Sequence, residues 1–93
     1  MRKQLNWRDK YALALKESLT IKEIMDLRDC GKPKATKIRE KAIQYCVANN
    51  IEFDLRRTST QIIFKITGLD LDYYYQKMLL ERKIIGEEKN GNL

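Results

Sequence analysis

The sequence predicts an all-α or mostly α fold of about five helices. Two of them form a helix-turn-helix, and at most one short strand is expected, near residues 51–55. Three observations lead there. Apolar residues recur at helical spacing along most of the chain. Capping residues and glycines divide that pattern into segments. Only Ile51-Glu52-Phe53-Asp54-Leu55 alternates with the two-residue period of a strand. Residues 1–85 are read as one helical domain and 86–93 as a flexible tail. A chain of 93 residues can bury only a modest core, so assembly into a homodimer is a natural supplement.

Asn6 is placed to cap a first helix, running to about Glu17. Trp7, Tyr11, Ala14 and Ser18 share a stripe with Leu15 beside it, which makes Trp7 a core or core-edge anchor. Arg2, Lys3, Arg8 and Lys10 either touch a phosphate backbone or simply solubilise the chain.

The stretch Leu19 to Cys46 organises the rest. Thr20 is an N-cap with Glu23 three residues on, the capping-box spacing. Leu19 and Ile24 match the hydrophobic staple. Cys30-Gly31-Lys32-Pro33 ends this short helix. Gly31 suits a left-handed C-cap, and Pro33 suits the first turn of the next helix, where its missing N–H costs nothing.

The helix that follows has two unlike sides. Ala35, Ile38, Ala42 and either Tyr45 or Cys46 face a core, while Lys34, Lys37, Lys41 and Gln44 recur elsewhere. It ends near Asn49-Asn50, since asparagine tolerates the left-handed conformation that terminates helices.

Ile51–Leu55 follows as a strand without a hairpin partner. It is either an extended connector or a segment that pairs with its copy in a second subunit. The sequence offers no clear two-stranded wing. Thr58 and Gln61 repeat the capping-box spacing before a short helix, Ser59 to Thr67, which Gly68 closes. Asp70 or Asp72 caps a last helix running to about Ile85. It is apolar on several sides, which calls for several neighbours. Those neighbours are either the rest of its own chain or a second copy, and Tyr74, Tyr75 and Met78 are the expected dimer-interface residues.

The net charge of +6 is unevenly spread. Residues 1–50 hold twelve Lys/Arg against six Asp/Glu, whereas residues 51–93 hold seven of each. Residues 32–41 alone carry five positive side chains and one negative. A basic surface confined to a helix-turn-helix is the footprint expected for nucleic acid. The long helix would enter the major groove of double-stranded DNA, with Lys34, Thr36, Lys37 and Lys41 facing the bases and Lys32 and Arg39 near phosphates.

Other chemistries find little footing. The chain has no histidine, P-loop, GxGxxG or nucleophile elbow, so no enzyme activity, cofactor or metal is expected. Cys30 and Cys46 are expected to be free thiols. No apolar run approaches the ~18 residues of a membrane span. MRKQLNWRDK lacks the apolar region of a secretory signal, so a cytoplasmic location and no membrane association are expected.

LTIKEIMDL, a glycine break and KATKIREKAI together resemble the helix-turn-helix of small phage and integrative-element proteins. Those include excisionase-like recombination directionality factors and small transcriptional regulators. The resemblance covers residues 19–46, with Arg28-Asp29-Cys30 lengthening the turn relative to the common pattern. RRTSTQIIFKITGLD resembles the C-terminal part of small proteins from Gram-positive mobile elements. The resemblance implies sequence-specific DNA binding in transcription regulation or recombination. The alternative is a protein-binding module, an anti-repressor or inhibitor of a host factor, acting through the tyrosine-rich last helix.

Overall fold

A computed structural model describes the backbone of residues 5–91 and the side chains of residues 5–84. Five helices carry the fold: α1 (Trp7–Ala14), α2 (Ile21–Arg28), α3 (Lys32–Ala48), α4 (Thr60–Thr67) and α5 (Leu71–Gly91). Two two-residue strands, β1 (Ser18–Leu19) and β2 (Thr58–Ser59), pair antiparallel, with Ser18 opposite Ser59 and Leu19 opposite Thr58. The fold is mostly α, as the periodicity requires.

The strand lies elsewhere than expected. Residues 51–57 form an irregular connector, and Ile51, Phe53 and Leu55 are exposed. Alternation marks a strand only where a neighbouring strand pairs with it and buries one face, and among the described residues no strand pairs with this segment. The pairing that does form joins segments forty residues apart, and Thr60 N–H extends it by donating to the Glu17 carbonyl at 3.0 Å.

Local chemistry explains most helix ends. Asn6 caps α1 by accepting from Asp9 N–H at 2.8 Å. The Glu81 carboxylate adds a second cap from α5, accepting from the backbone N–H of Trp7 (3.1 Å) and of Arg8 (3.4 Å). That places a negative group at the positive end of the helix dipole. α1 stops at Ala14 rather than Glu17, because the chain must turn there to deliver Ser18 to the strand pair. Leu15 is consequently exposed.

The capping box of α2 is complete: Glu23 N–H donates to Thr20 Oγ1 at 3.2 Å and Thr20 N–H to Glu23 Oε1 at 3.0 Å. Leu19 and Ile24, the staple pair, are both fully buried. The stop differs from expectation. Asp29, not Gly31, takes the left-handed conformation (φ 50°, ψ 50°), and Cys30 N–H reaches back to the Met25 carbonyl at 3.1 Å. Gly31 is instead the extended N-cap of α3, with Pro33 in the first turn. An aspartate is among the few side chains that visit this region readily.

α3 buries Ala35, Ile38, Ala42 and Cys46 at intervals of three and four. That resolves the Tyr45-or-Cys46 alternative: Cys46 faces the core and Tyr45 sits half-buried at its edge. Asn50 takes a positive φ of 55° at the far end. α4 is capped by Ser59, whose hydroxyl accepts from Ile62 N–H at 3.4 Å; Thr58, the expected cap, is buried in β2 instead. Gly68 closes α4 at φ 75°. Asp70 caps α5 by accepting from Tyr73 N–H at 2.8 Å, and the helix continues past Ile85 to Gly91.

The main core joins Ala14, Leu19, Ile24, Leu27, Ala35, Ile38, Ile63 and Tyr74; a smaller cluster of Ala42, Cys46 and Ile62 continues it toward the C-terminal end of α3. Tyr74 is the largest side chain in the main cluster. Its ring lies near those of Phe64 (5.9 Å), Trp7 (6.2 Å) and Tyr73 (5.2 Å), which locks α1, α4 and α5 together. Trp7 is half-buried at the core's edge, as its place on the α1 stripe implies. Among the described residues no helix is long and apolar enough to cross a membrane.

Candidate nucleic-acid interface

The candidate interface is the outer surface of α3, set by the turn that joins it to α2. One ion pair holds that turn. The Lys10 ammonium, on α1, is almost wholly buried and bonds the Asp29 carboxylate. It also lies 4.2 Å from the centre of the Trp7 ring, a cation–π contact. Lys10 is therefore part of the scaffold and faces no phosphate, in contrast to one of its two expected roles. Arg8 is exposed, and Arg2 and Lys3 lie outside the described residues.

A second cluster ties α2 to the strand pair. The Glu23 carboxylate bonds Lys16 and lies 3.8 Å from an Arg57 nitrogen. Arg57 in turn donates through Nε to Ser18 Oγ (2.8 Å) and through Nη2 to the Ser18 carbonyl (2.9 Å). Partial burial works to raise the Glu23 pKa, but the bonds from Lys16 and Thr20 outweigh it and hold the carboxyl below its ordinary range. Arg57 is thereby a clamp between the connector and α2.

With the scaffold fixed, the side chains of α3 can be sorted by angle, at about 100° per residue. Lys34, Lys37 and Lys41 fall on one flank. All three are exposed, and among the described residues none of them has an ion-pair or hydrogen-bond partner for its side chain. With Pro33 and Ile38 they frame a shallow concavity along the helix. Thr36 and Arg39 lie on the opposite flank, roughly 140–160° round from Lys34. Thr36 is half-buried, and Arg39 is half-buried with Nη1 3.5 Å from the Leu55 carbonyl. Thr36 therefore does not share a surface with the three lysines. Lys32 is exposed at the helix start, where Gly31 provides no side-chain cap.

Two residues outside the expected DNA contacts, Tyr45 and Lys65, lie at the far end of the lysine flank. Lys65, on α4, donates through Nζ to Tyr45 Oη at 3.2 Å and lies 5.5 Å from the ring centre. The spacing from Lys34 to Tyr45, three turns of helix, was readable in the sequence; the approach of α4 was not.

The expected dimer interface divides. Tyr74 is 1% exposed and belongs to the core of its own chain, so it is unavailable to a partner. Burial raises its phenol above the ordinary value of 10.0, with Arg28 beside it partly opposing the rise. Tyr75 is 40% exposed but has its ring 5.5 Å from that of Tyr11. Met78 is half-buried. Among the described residues of α5 the most exposed large apolar side chains are instead Leu80 and Ile84.

No protein-family model, curated protein or solved structure matches this chain.

Proposed function

We propose that this chain binds double-stranded DNA through the lysine flank of α3, as a transcriptional regulator or recombination accessory factor of a phage or mobile element. It acts in the cytoplasm, as a homodimer, and catalyses no reaction. One observation carries the reading: Lys34, Lys37 and Lys41 are exposed, have no ion-pair partner among the described residues, and are aligned on a helix that a shorter capped helix props from behind. Three cations held close together on one flank repel one another, and a polyanion relieves that repulsion. The uncapped start of α3 adds the positive end of a helix dipole to the same region. Lysines read bases less sharply than bidentate Arg–guanine or Asn–adenine pairs, so much of the affinity is electrostatic.

Selection of bound DNA from a random pool tests this. An enriched inverted repeat is the expected product, because a two-fold dimer reads two half-sites. Lys34→Glu combined with Lys37→Glu abolishes the enrichment. A pool that stays unenriched with the native protein contradicts sequence-specific binding.

A second reading has its own observation. Leu80 and Ile84 leave an exposed apolar stretch on α5, as a protein-binding module would. On that reading the double lysine variant keeps full function and Leu80→Glu loses it.

A further inference from the structure

We infer that Lys65, carried by α4 and fixed on Tyr45, is a phosphate contact at the far end of the DNA-facing flank. This rests on the DNA reading above and extends it from one helix to two. Tyr45 follows Lys34 by eleven residues, which is within about 20° of three full turns and about 16 Å along the axis. Lys41 stands between them on the same line. The flank thus runs from Lys34 through Lys41 to Tyr45, and Lys65 closes it from a different element.

The ammonium of Lys65 is placed rather than free. Tyr45 is half-buried, so its ring is held, and the ring face and hydroxyl together localise the charge. A lysine has three donors. Tyr45 Oη takes one, and among the described residues no other acceptor takes the remaining two. Among the described residues no carboxylate pairs with Lys65 either. A positioned cation with two open donors fits an anionic oxygen acceptor, and prior placement lowers the ordering cost of making that bond. Lys65 Nζ, 3.2 Å from Tyr45 Oη, therefore stands at the end of that line opposite Lys34, whose Cα lies about 16 Å along the axis from that of Tyr45.

The test is fluorescence anisotropy on a labelled mixed-sequence DNA duplex, titrated at several salt concentrations, with full-length wild type, Lys65→Gln, Lys65→Arg and Lys34→Gln. Removing one phosphate contact lowers the log–log salt slope by about 0.9. Lys65→Gln should show that decrease and weaken binding alike on duplexes of different sequence; Lys65→Arg should keep the wild-type slope. Thermal melts of Lys65→Gln should match wild type, since the side chain is exposed. If Lys34→Gln lowers the slope and Lys65→Gln does not, the inference is overturned and the DNA reading stands. If wild type itself shows no salt dependence, both fall.

Discussion

The Lys10 ammonium of α1 is paired with the Asp29 carboxylate at the left-handed residue between α2 and α3. The pair is lopsided: the lysine side chain is 2% exposed and the aspartate 34%. Removing either partner therefore has unequal results. Asp29→Ala strands a buried ammonium, while Lys10→Met leaves a carboxylate that water can still reach. Asp29→Ala should cost about 2–4 kcal/mol and Lys10→Met about 1–2 kcal/mol. Urea unfolding of the two variants, read as midpoint shifts at constant slope, checks the order.

Glu23 makes stability depend on acid. Its folded pKa lies below the ordinary 4.5 because the bonds from Lys16 and Thr20 outweigh burial. A lowered carboxylate contributes stability that is present above the unfolded value and is lost as pH falls through the folded one. Glu23→Gln should thus be less stable than wild type at pH 7, with the gap narrowing as pH drops below 4.5. Thermal melts across pH 3–7 follow this (about four points suffice to see the trend). A gap that stays constant with pH contradicts the assignment.

Tyr74 should behave as a core residue rather than as an interface residue. Tyr74→Ala should cost about 3–5 kcal/mol, as large aromatic deletions in cores do. Tyr75→Ala should cost less, because Tyr75 is 40% exposed. Tyr74 also predicts an alkaline limb. Burial raises its pKa above 10.0, so the folded state favours the neutral phenol. The associated stability is complete below pH 10 and declines as pH rises toward the folded value. Tyr74→Phe should lose that part of the decline, which unfolding at successive alkaline pH values measures.

What the sequence disclosed was chiefly local. The Thr20–Glu23 box, the Leu19–Ile24 staple, Pro33 in the first turn of α3 and the Ala35–Ile38–Ala42 stripe all depend on residues within a few positions of one another. Each has a short-range physical cause that a reader of the chain can name. The departures have long-range causes. Lys10 looks like a surface charge until α1 is laid beside the α2–α3 turn. Gly31 looks like the left-handed residue until Asp29 finds Lys10. Alternation at Ile51–Leu55 suggested a strand, but pairing went to Ser18–Leu19 and Thr58–Ser59, segments too short to show a period. Among the candidate DNA contacts, Lys34, Lys37 and Lys41 came together because seven residues nearly close two turns. Thr36 and Arg39 fell on the other flank by the same geometry.

The central claim is that the lysine flank of α3 meets DNA phosphates, and the salt dependence of affinity measures that most directly. Neutralising about five phosphates gives a slope of log affinity against log salt near −4 to −5. The joint variant Lys34→Gln, Lys37→Gln, Lys41→Gln should flatten that slope by between about two and three. A wild-type slope near zero, or a steep slope that the joint variant leaves unchanged, would contradict the account.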